Sequence, residues 1–246
     1  MNYNSFEIMR YIILASILEP IPEKVGCTTR TKDWQEKSKL EYFLIAGVNI
    51  GQVFYELSER IKSNNYKQPK LIYDLAYKAQ KASFSNRNGG KINFGIIELL
   101  IPIVSMQLIT QKFDISVLDE VEYLLKNTTS KDIEYHYKFR EIARNSSKQF
   151  PNTIDYNVTN LFDYYKIEKN ELENNVHKEY ITGFKRIKKA YSILKDNCKD
   201  GKILEISVIA YNSIIEECNN YAGLAADFIC VAIYFYLINH PTAIII

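Results

Sequence analysis

Histidine and cysteine are scarce in this chain of 246 residues, which has three of the first and four of the second. Cys27, Cys198, Cys218 and Cys230 make no CxxC pair, and His136, His177 and His240 are scattered, so zinc-type spacing is absent and no Cys/His metal site is expected. A large excess of one charge is also missing. Lys and Arg number 31 against 29 Asp and Glu, and a net charge of +2 makes no electrostatic case for nucleic acid or for an anionic membrane as partner. The apolar run Phe228 to Ile238 falls short of the ~20 residues needed to span a bilayer and reads as a buried helix. The opening MNYNSFEIMR has neither the basic n-region nor the cleavage site of a signal peptide; with the unpaired thiols, this makes a reducing cytoplasm the expected location. Alternating strand patterns, internal repeats and low-complexity tracts are likewise not found.

What is present is apolar mass at helical spacing. Apolar residues make up 47%, and the 19 Tyr and 12 Phe recur at helical intervals, as core or boundary residues do. From Phe43, the positions Gly47, Ile50, Gly51, Phe54, Leu57 and Ile61 trace one face of a long helix, with both glycines placed for close helix approach. A second helix is predicted from about Gln68 to Ser83, with Leu71, Leu75 and Ala79 inward, ending at the breaker SNRNGG of residues 85 to 90. Residues 92 to 109 are apolar nearly all round, which describes a central buried helix, and Pro102 would remove one of its backbone hydrogen bonds and kink it. Further helices are predicted at 116 to 126 and 130 to 145, where Ser116 with Asp119 and Thr129 with Asp132 have capping-box spacing. The last are expected at 170 to 196, 202 to 218 and 222 to 238, and residues 146 to 160 read as a long connection. The expectation is therefore an all-α single domain, residues 1 to 246, of roughly eight to ten helices around a buried central one.

Two polar, glycine-containing segments lead into strongly apolar helices. The first, PEKVGCTTRTKDW at 22 to 34, concentrates Lys24, Arg30 and Lys32 beside three threonines and Asp33, a composition suited to phosphate oxygens and a metal ion. A plain solvated loop has the same composition. The second, NGGKINFG at 88 to 95, puts glycines before a helix N-terminus, where backbone N–H groups can meet an anion, although Walker and Rossmann spacings are absent.

At these residues a family resemblance appears. KVGCTTRTKD, 24 to 33, resembles the Lys-Pro-Gly-Asn-Val-His-Arg-Thr-Arg-Asp segment of archaeal members of the triphosphoribosyl-dephospho-coenzyme A synthase family. GGKINFGIIELLIPI, from Gly89, is similar to that family's Gly-Gly-Asn-Thr-Asn-Leu-Gly helix entry and the proline-containing helix behind it. TTSKDI at 128 to 133 with Tyr137 and Arg140, then KEYITGF at 178 to 184, are similar to its later Asp-, Arg- and Arg-Glu-Tyr-Ala-Asn-Gly-Phe segments, so the likeness covers roughly residues 10 to 195 in order.

The resemblance implies a mostly helical transferase that joins ATP, as substrate, to 3′-dephospho-coenzyme A with Mg2+ and release of adenine. Its product would be the precursor of the prosthetic group of citrate or malonate decarboxylase-type acyl carriers. Carried over position by position, Asp33 and Glu179 are the catalytic carboxylates, and Lys24, Gly26, Arg30, Asn93, Gly95 and Arg140 hold the nucleotide. Asp33 and Asp132 take the metal. The chain departs from the family pattern at Val25, Cys27, Thr29, Lys91, Ile92 and Asn174, and the family's Asp-x-Leu-Ile-x-Arg-Lys-x-Gly pattern is not recognisable in its C-terminal third. Three function classes follow: an active ribosyl transferase, a non-catalytic nucleotide-binding relative, or a helical interaction protein whose Tyr-rich faces form a homo-oligomer.

Overall fold

The residues apolar on every side become the centre of the molecule. In the computed structural model, which describes residues 3–34, 36, 38–146, 158–171, 176–198 and 202–242, every position from Phe94 to Leu108 is buried. Eleven α-helices occur among the described residues: α1 (Ser5–Leu18), α2 (Leu40–Ser63), α3 (Tyr73–Ser83), α4 (Phe94–Thr110), α5 (Val121–Lys126), α6 (Ser130–Ser146), α7 (Leu161–Glu171), α8 (His177–Thr182), α9 (Lys185–Asn197), α10 (Ile203–Ile214) and α11 (Ala222–Asn239). No strand is found among those residues, so the all-α expectation holds. One contiguous hydrophobic core runs from Ile8 of α1 to Ile238 of α11. α11 has the length and hydropathy of a membrane-crossing helix, yet 78% of it is buried inside this fold, as in a core helix.

The glycine face of α2 meets α1 as its spacing suggests. A Cβ at Gly47 would lie 3.1 Å from Ile17 and Ser16, and one at Gly51 would lie 2.6 Å from Ile13 Cγ1, so the two helices approach where side chains are missing. The 116 to 126 helix is instead a 3-10 segment, Ile115–Glu120, followed by α5. Asp114, not Ser116, caps it, accepting the Ser116 N–H at 2.8 Å, while Asp119 pairs with Lys188 at 2.5 Å. At α6 the predicted box is present: Asp132 Oδ2 accepts the Thr129 N–H at 2.9 Å, and Thr129 Oγ1 accepts the Asp132 N–H at 3.3 Å.

Three further boundaries differ from expectation. α3 begins at Tyr73 rather than Gln68, because the Ile72 and Tyr73 N–H groups donate to Asp132 Oδ1 at 2.8 and 3.1 Å, a cap supplied from 60 residues away. Leu71 is half-buried, whereas Leu75 and Ala79 point inward as predicted. The 170 to 196 helix is divided, since Gly183 and Phe184 both turn left-handed, at φ of 71° and 59°. The 202 to 218 helix stops at Ile214 and tightens to a 3-10 turn, Glu216–Cys218, before left-handed Asn219 and Asn220. The connection expected at 146 to 160 lies mainly outside the described residues, as does Asn174.

Pro102 connects core to site. Its missing N–H would have bonded the carbonyl of Glu98, four residues earlier, and that carbonyl accepts instead from the Tyr180 hydroxyl of α8 at 2.6 Å. Tyr180→Phe should therefore cost about 1–3 kcal/mol in urea melts, the penalty of an orphaned buried carbonyl. In a Pro102→Ala background the cost should shrink, because the restored N–H takes the carbonyl; equal costs in both backgrounds would refute the link.

Candidate functional site

The loop at 22 to 34 is folded onto itself and onto α11. Glu23 accepts from the Thr29 and Thr31 hydroxyls at 2.8 and 2.7 Å, and the Thr29 N–H bonds the Lys32 carbonyl at 2.8 Å. Gly26 adopts φ +80°, and a Cβ there would lie 2.8 Å from Ala222 Cβ at the start of α11. Cys27 also reaches α11, with its Sγ 3.7 Å from the Ala222 carbonyl, and the Tyr211 hydroxyl donates to the Val25 carbonyl at 2.6 Å. Lys24 is turned inward: its side chain is fully buried, ion-paired with Glu19 at 3.1 Å and bonded to the Glu19 carbonyl. Arg30 and Asp33 stay at the surface, where Asp33 Oδ1 accepts the Leu40 N–H at 3.1 Å.

The second segment meets the same helix. Asn93 enters α4 in the left-handed region, at φ 58°, and neither polar atom of its buried side chain has a hydrogen-bond partner among the described residues. Gly95, in the first turn of α4, faces Asp227 of α11 so closely that a Cβ would collide with Oδ2 and lie 2.6 Å from Cγ. Ala222 and Asp227 are five residues apart on one helix, roughly 7.5 Å along its axis at the standard rise. The two segments that the sequence marked, whose Gly26 and Gly95 are 69 residues apart, are thus brought together by α11.

Charged groups are gathered and largely buried there. Asp227 keeps some residue surface, but its carboxylate packs against α4; burial pushes it up to about 8, opposed by Lys91 and reinforced by Glu19 and Glu98. Burial also pulls the Lys91 ammonium down to about 8, although Asp227 and Glu98 favour its charge; Arg140 opposes it. The unfolded aspartate ionises near 3.8, so between about pH 4 and about pH 8 the folded chain keeps a proton that the unfolded chain has lost, and stability falls as pH rises through that window. Asp227→Asn should flatten this decline in denaturant melts taken across the window, and an unchanged slope would show that another group causes it.

One turn further along α4 lies a second polar cluster. Glu98, in the second turn of α4, sets Oε1 2.9 Å from His136 Nε2 of α6 and 2.6 Å from His177 Nε2 of α8. Burial alone would raise its carboxyl, but the His177 and His136 imidazoles outweigh burial and hold it well below the usual carboxylate range. Burial pushes His136 down, with Glu98 opposing. Rings enclose the cluster: Tyr165 stacks on His177 at 4.1 Å and on Tyr180 at 5.0 Å, and its hydroxyl lies 3.0 Å from that of Tyr73. Arg140 donates to the Tyr164 hydroxyl at 2.7 Å.

Two of the carried-over carboxylates are occupied within the fold. Asp132 spends both oxygens on the starts of α3 and α6. Glu179 is fully buried, with Oε1 2.6 Å from Arg186 Nε and Oε2 accepting the Ile187 N–H at 3.2 Å, which fastens the α8–α9 corner. Sequence reading missed Asp227, Glu98 and the pairing of His136 with His177. A signal did exist for the two acids: each is the sole charged residue of a long apolar helix.

The left-handed glycine loop on α11, the helix entry at Asn93 and the buried groups behind it give the marked residues one spatial context. A model of the ATP:dephospho-CoA triphosphoribosyl transferase family matches residues 5–219, from α1 through the 3-10 turn before α11. Searches of curated proteins and of solved structures found no match. With 215 of 246 residues matched (219 − 5 + 1 = 215), the chain belongs to the ATP:dephospho-CoA triphosphoribosyl transferase family.

Proposed function

We infer that this chain transfers a triphosphoribosyl group from ATP to 3′-dephospho-coenzyme A and releases adenine. The observation that carries the reading is the meeting of the 22 to 34 loop and the α4 entry on the first turns of α11, through Gly26 against Ala222 and Gly95 against Asp227. In this reading the acceptor ribose hydroxyl attacks the anomeric carbon of ATP, the carbon–oxygen bond forms as the bond to adenine breaks, and the hydroxyl proton leaves with the base. The ionised fraction of Asp227, which grows as pH rises towards about 8, receives that proton from the attacking hydroxyl and passes it on towards adenine. Lys91 and Arg140 supply positive charge for the triphosphate, with the exposed Arg30 at the rim. The unpartnered Asn93 amide is a buried reader of nucleotide polar groups.

Mg2+ in such sites is bound by one or two carboxylates together with substrate phosphates. Asp33 fits this, being exposed and bonded at Oδ1 to one N–H, whereas Asp132 does not, because both its oxygens are taken. When bound, the ion neutralises phosphate charge. Purified protein with ATP, Mg2+ and dephospho-coenzyme A should release one adenine per acceptor consumed, followed by chromatography, and Asp227→Asn should slow it. Absence of adenine at saturating substrates would overturn the reading.

A second reading, a nucleotide-binding relative without turnover, is favoured by one observation: Lys24, the first cation of the matched motif, is locked to Glu19. ATP binding by calorimetry without adenine release would select it.

A further inference from the structure

We propose that Glu98, His136 and His177 form a binding site for one divalent transition-metal ion of the zinc type, pinning α4, α6 and α8 together. Their ligand atoms all lie within 4.8 Å of one another, and all three residues are buried. Bonds of about 2.0–2.1 Å in tetrahedral arrangement place donors about 3.3 Å apart. Glu98 Oε1 stands 2.9 and 2.6 Å from the two Nε2 atoms, so opening these gaps needs shifts well below the size of an atom. Two imidazoles and one carboxylate suit Zn2+, Co2+ or Fe2+ and are a poor set for Mg2+, which demands oxygen, so this site is separate from the magnesium of the transfer reaction.

Independent features hold the donors in place. Glu98 is anchored through its own carbonyl by Tyr180, the bond that Pro102 makes available. His177 is stacked under Tyr165, and His136 meets Tyr164 and Tyr165 edge-on with centroids at 5.2 and 5.4 Å. Glu98 is 2% exposed and holds both imidazoles on one oxygen, so a bound ion would take the place of imidazole protons among donors already gathered, and binding would release those protons. His136 Nδ1 has no partner among the described residues, so affinity should be about 10–100-fold below that of a site whose imidazoles are all buttressed by an outer acceptor. Because the donors are shut away from solvent, the ion is expected to enter as the chain folds rather than afterwards.

The test uses the full chain, unfolded and refolded with Co2+, then desalted. One Co2+ per chain is expected, giving visible d–d absorption that Zn2+ abolishes, and the bands should be absent from Glu98→Gln and His136→Gln. Native circular dichroism with less than about a tenth of an equivalent of Co2+ in the unaltered chain would overturn the proposal, as would bands that persist in both variants. If the variants fail to fold, the stoichiometry and spectrum of the unaltered chain decide. Adenine release plays no part in this readout, so failure here leaves the transfer reading standing, and failure of that reading leaves this one.

Discussion

Glu179→Ala should destabilise the chain by about 3–5 kcal/mol, the range found when one member of a fully buried ion pair is removed. Glu179 is 0% exposed and Arg186 is 5% exposed, at 2.6 Å, so the variant leaves a guanidinium in the core, over the Phe228 ring, without its counter-charge. It also frees the Ile187 N–H in the first turn of α9. At about 2–4 °C per kcal/mol for a chain of this size, melting should fall by on the order of 10 °C. A double variant that also replaces Arg186 with Met should recover much of the loss, because no charge is then stranded. ATP affinity of the folded fraction should change little, which calorimetry below the lowered melting point would check. Unchanged melting and ATP affinity with a large loss of adenine release would instead give Glu179 the catalytic role implied by its motif.

Gly26→Ala is expected to cost about 2–4 kcal/mol from two separable sources. A side chain at φ +80° incurs the left-handed penalty of about 1–2 kcal/mol. Its Cβ would also stand 2.8 Å from Ala222 Cβ, a contact with the base of a helix that has no flexible end to move aside. Adding Ala222→Gly should relieve the collision and leave the conformational part. Gly223→Ala is the control, since nothing lies within 4 Å of a Cβ there. If the 22 to 34 loop binds nucleotide where it rests on α11, Gly26→Ala should weaken ATP binding in step with its loss of stability, and Gly223→Ala should not. Equal melting temperatures for both glycine variants would remove the physical basis for the loop's docking.

The fold class was legible because helical periodicity is a local property. The apolar face of α2, its two glycines and the all-round apolar α4 could be read directly, as could the Thr129–Asp132 box, because partners three or four residues apart are set by helix geometry. The same logic failed at α3, whose start is capped by Asp132 from 60 residues away, and at Gly183–Phe184, where two left-handed residues divide a segment that periodicity reads as one helix. Family motifs marked Lys24, Asn93 and Gly95, but not that Lys24 would turn inward to Glu19, nor that Asp227, eight residues beyond the matched stretch, would face Gly95.

The sequence by itself determined that the chain would be helical, with α4 and α11 in the middle, because a segment without a polar face can be hidden only by other segments on all sides. It also marked two glycine-bearing loops by composition and family motif. Only the tertiary structure decided which carboxylates were left over for chemistry, and that His136 and His177, 41 residues apart, would close on one oxygen of Glu98 (177 − 136 = 41). Helix packing sets these meetings through contacts between segments remote in the chain, and such contacts leave no period to read along it.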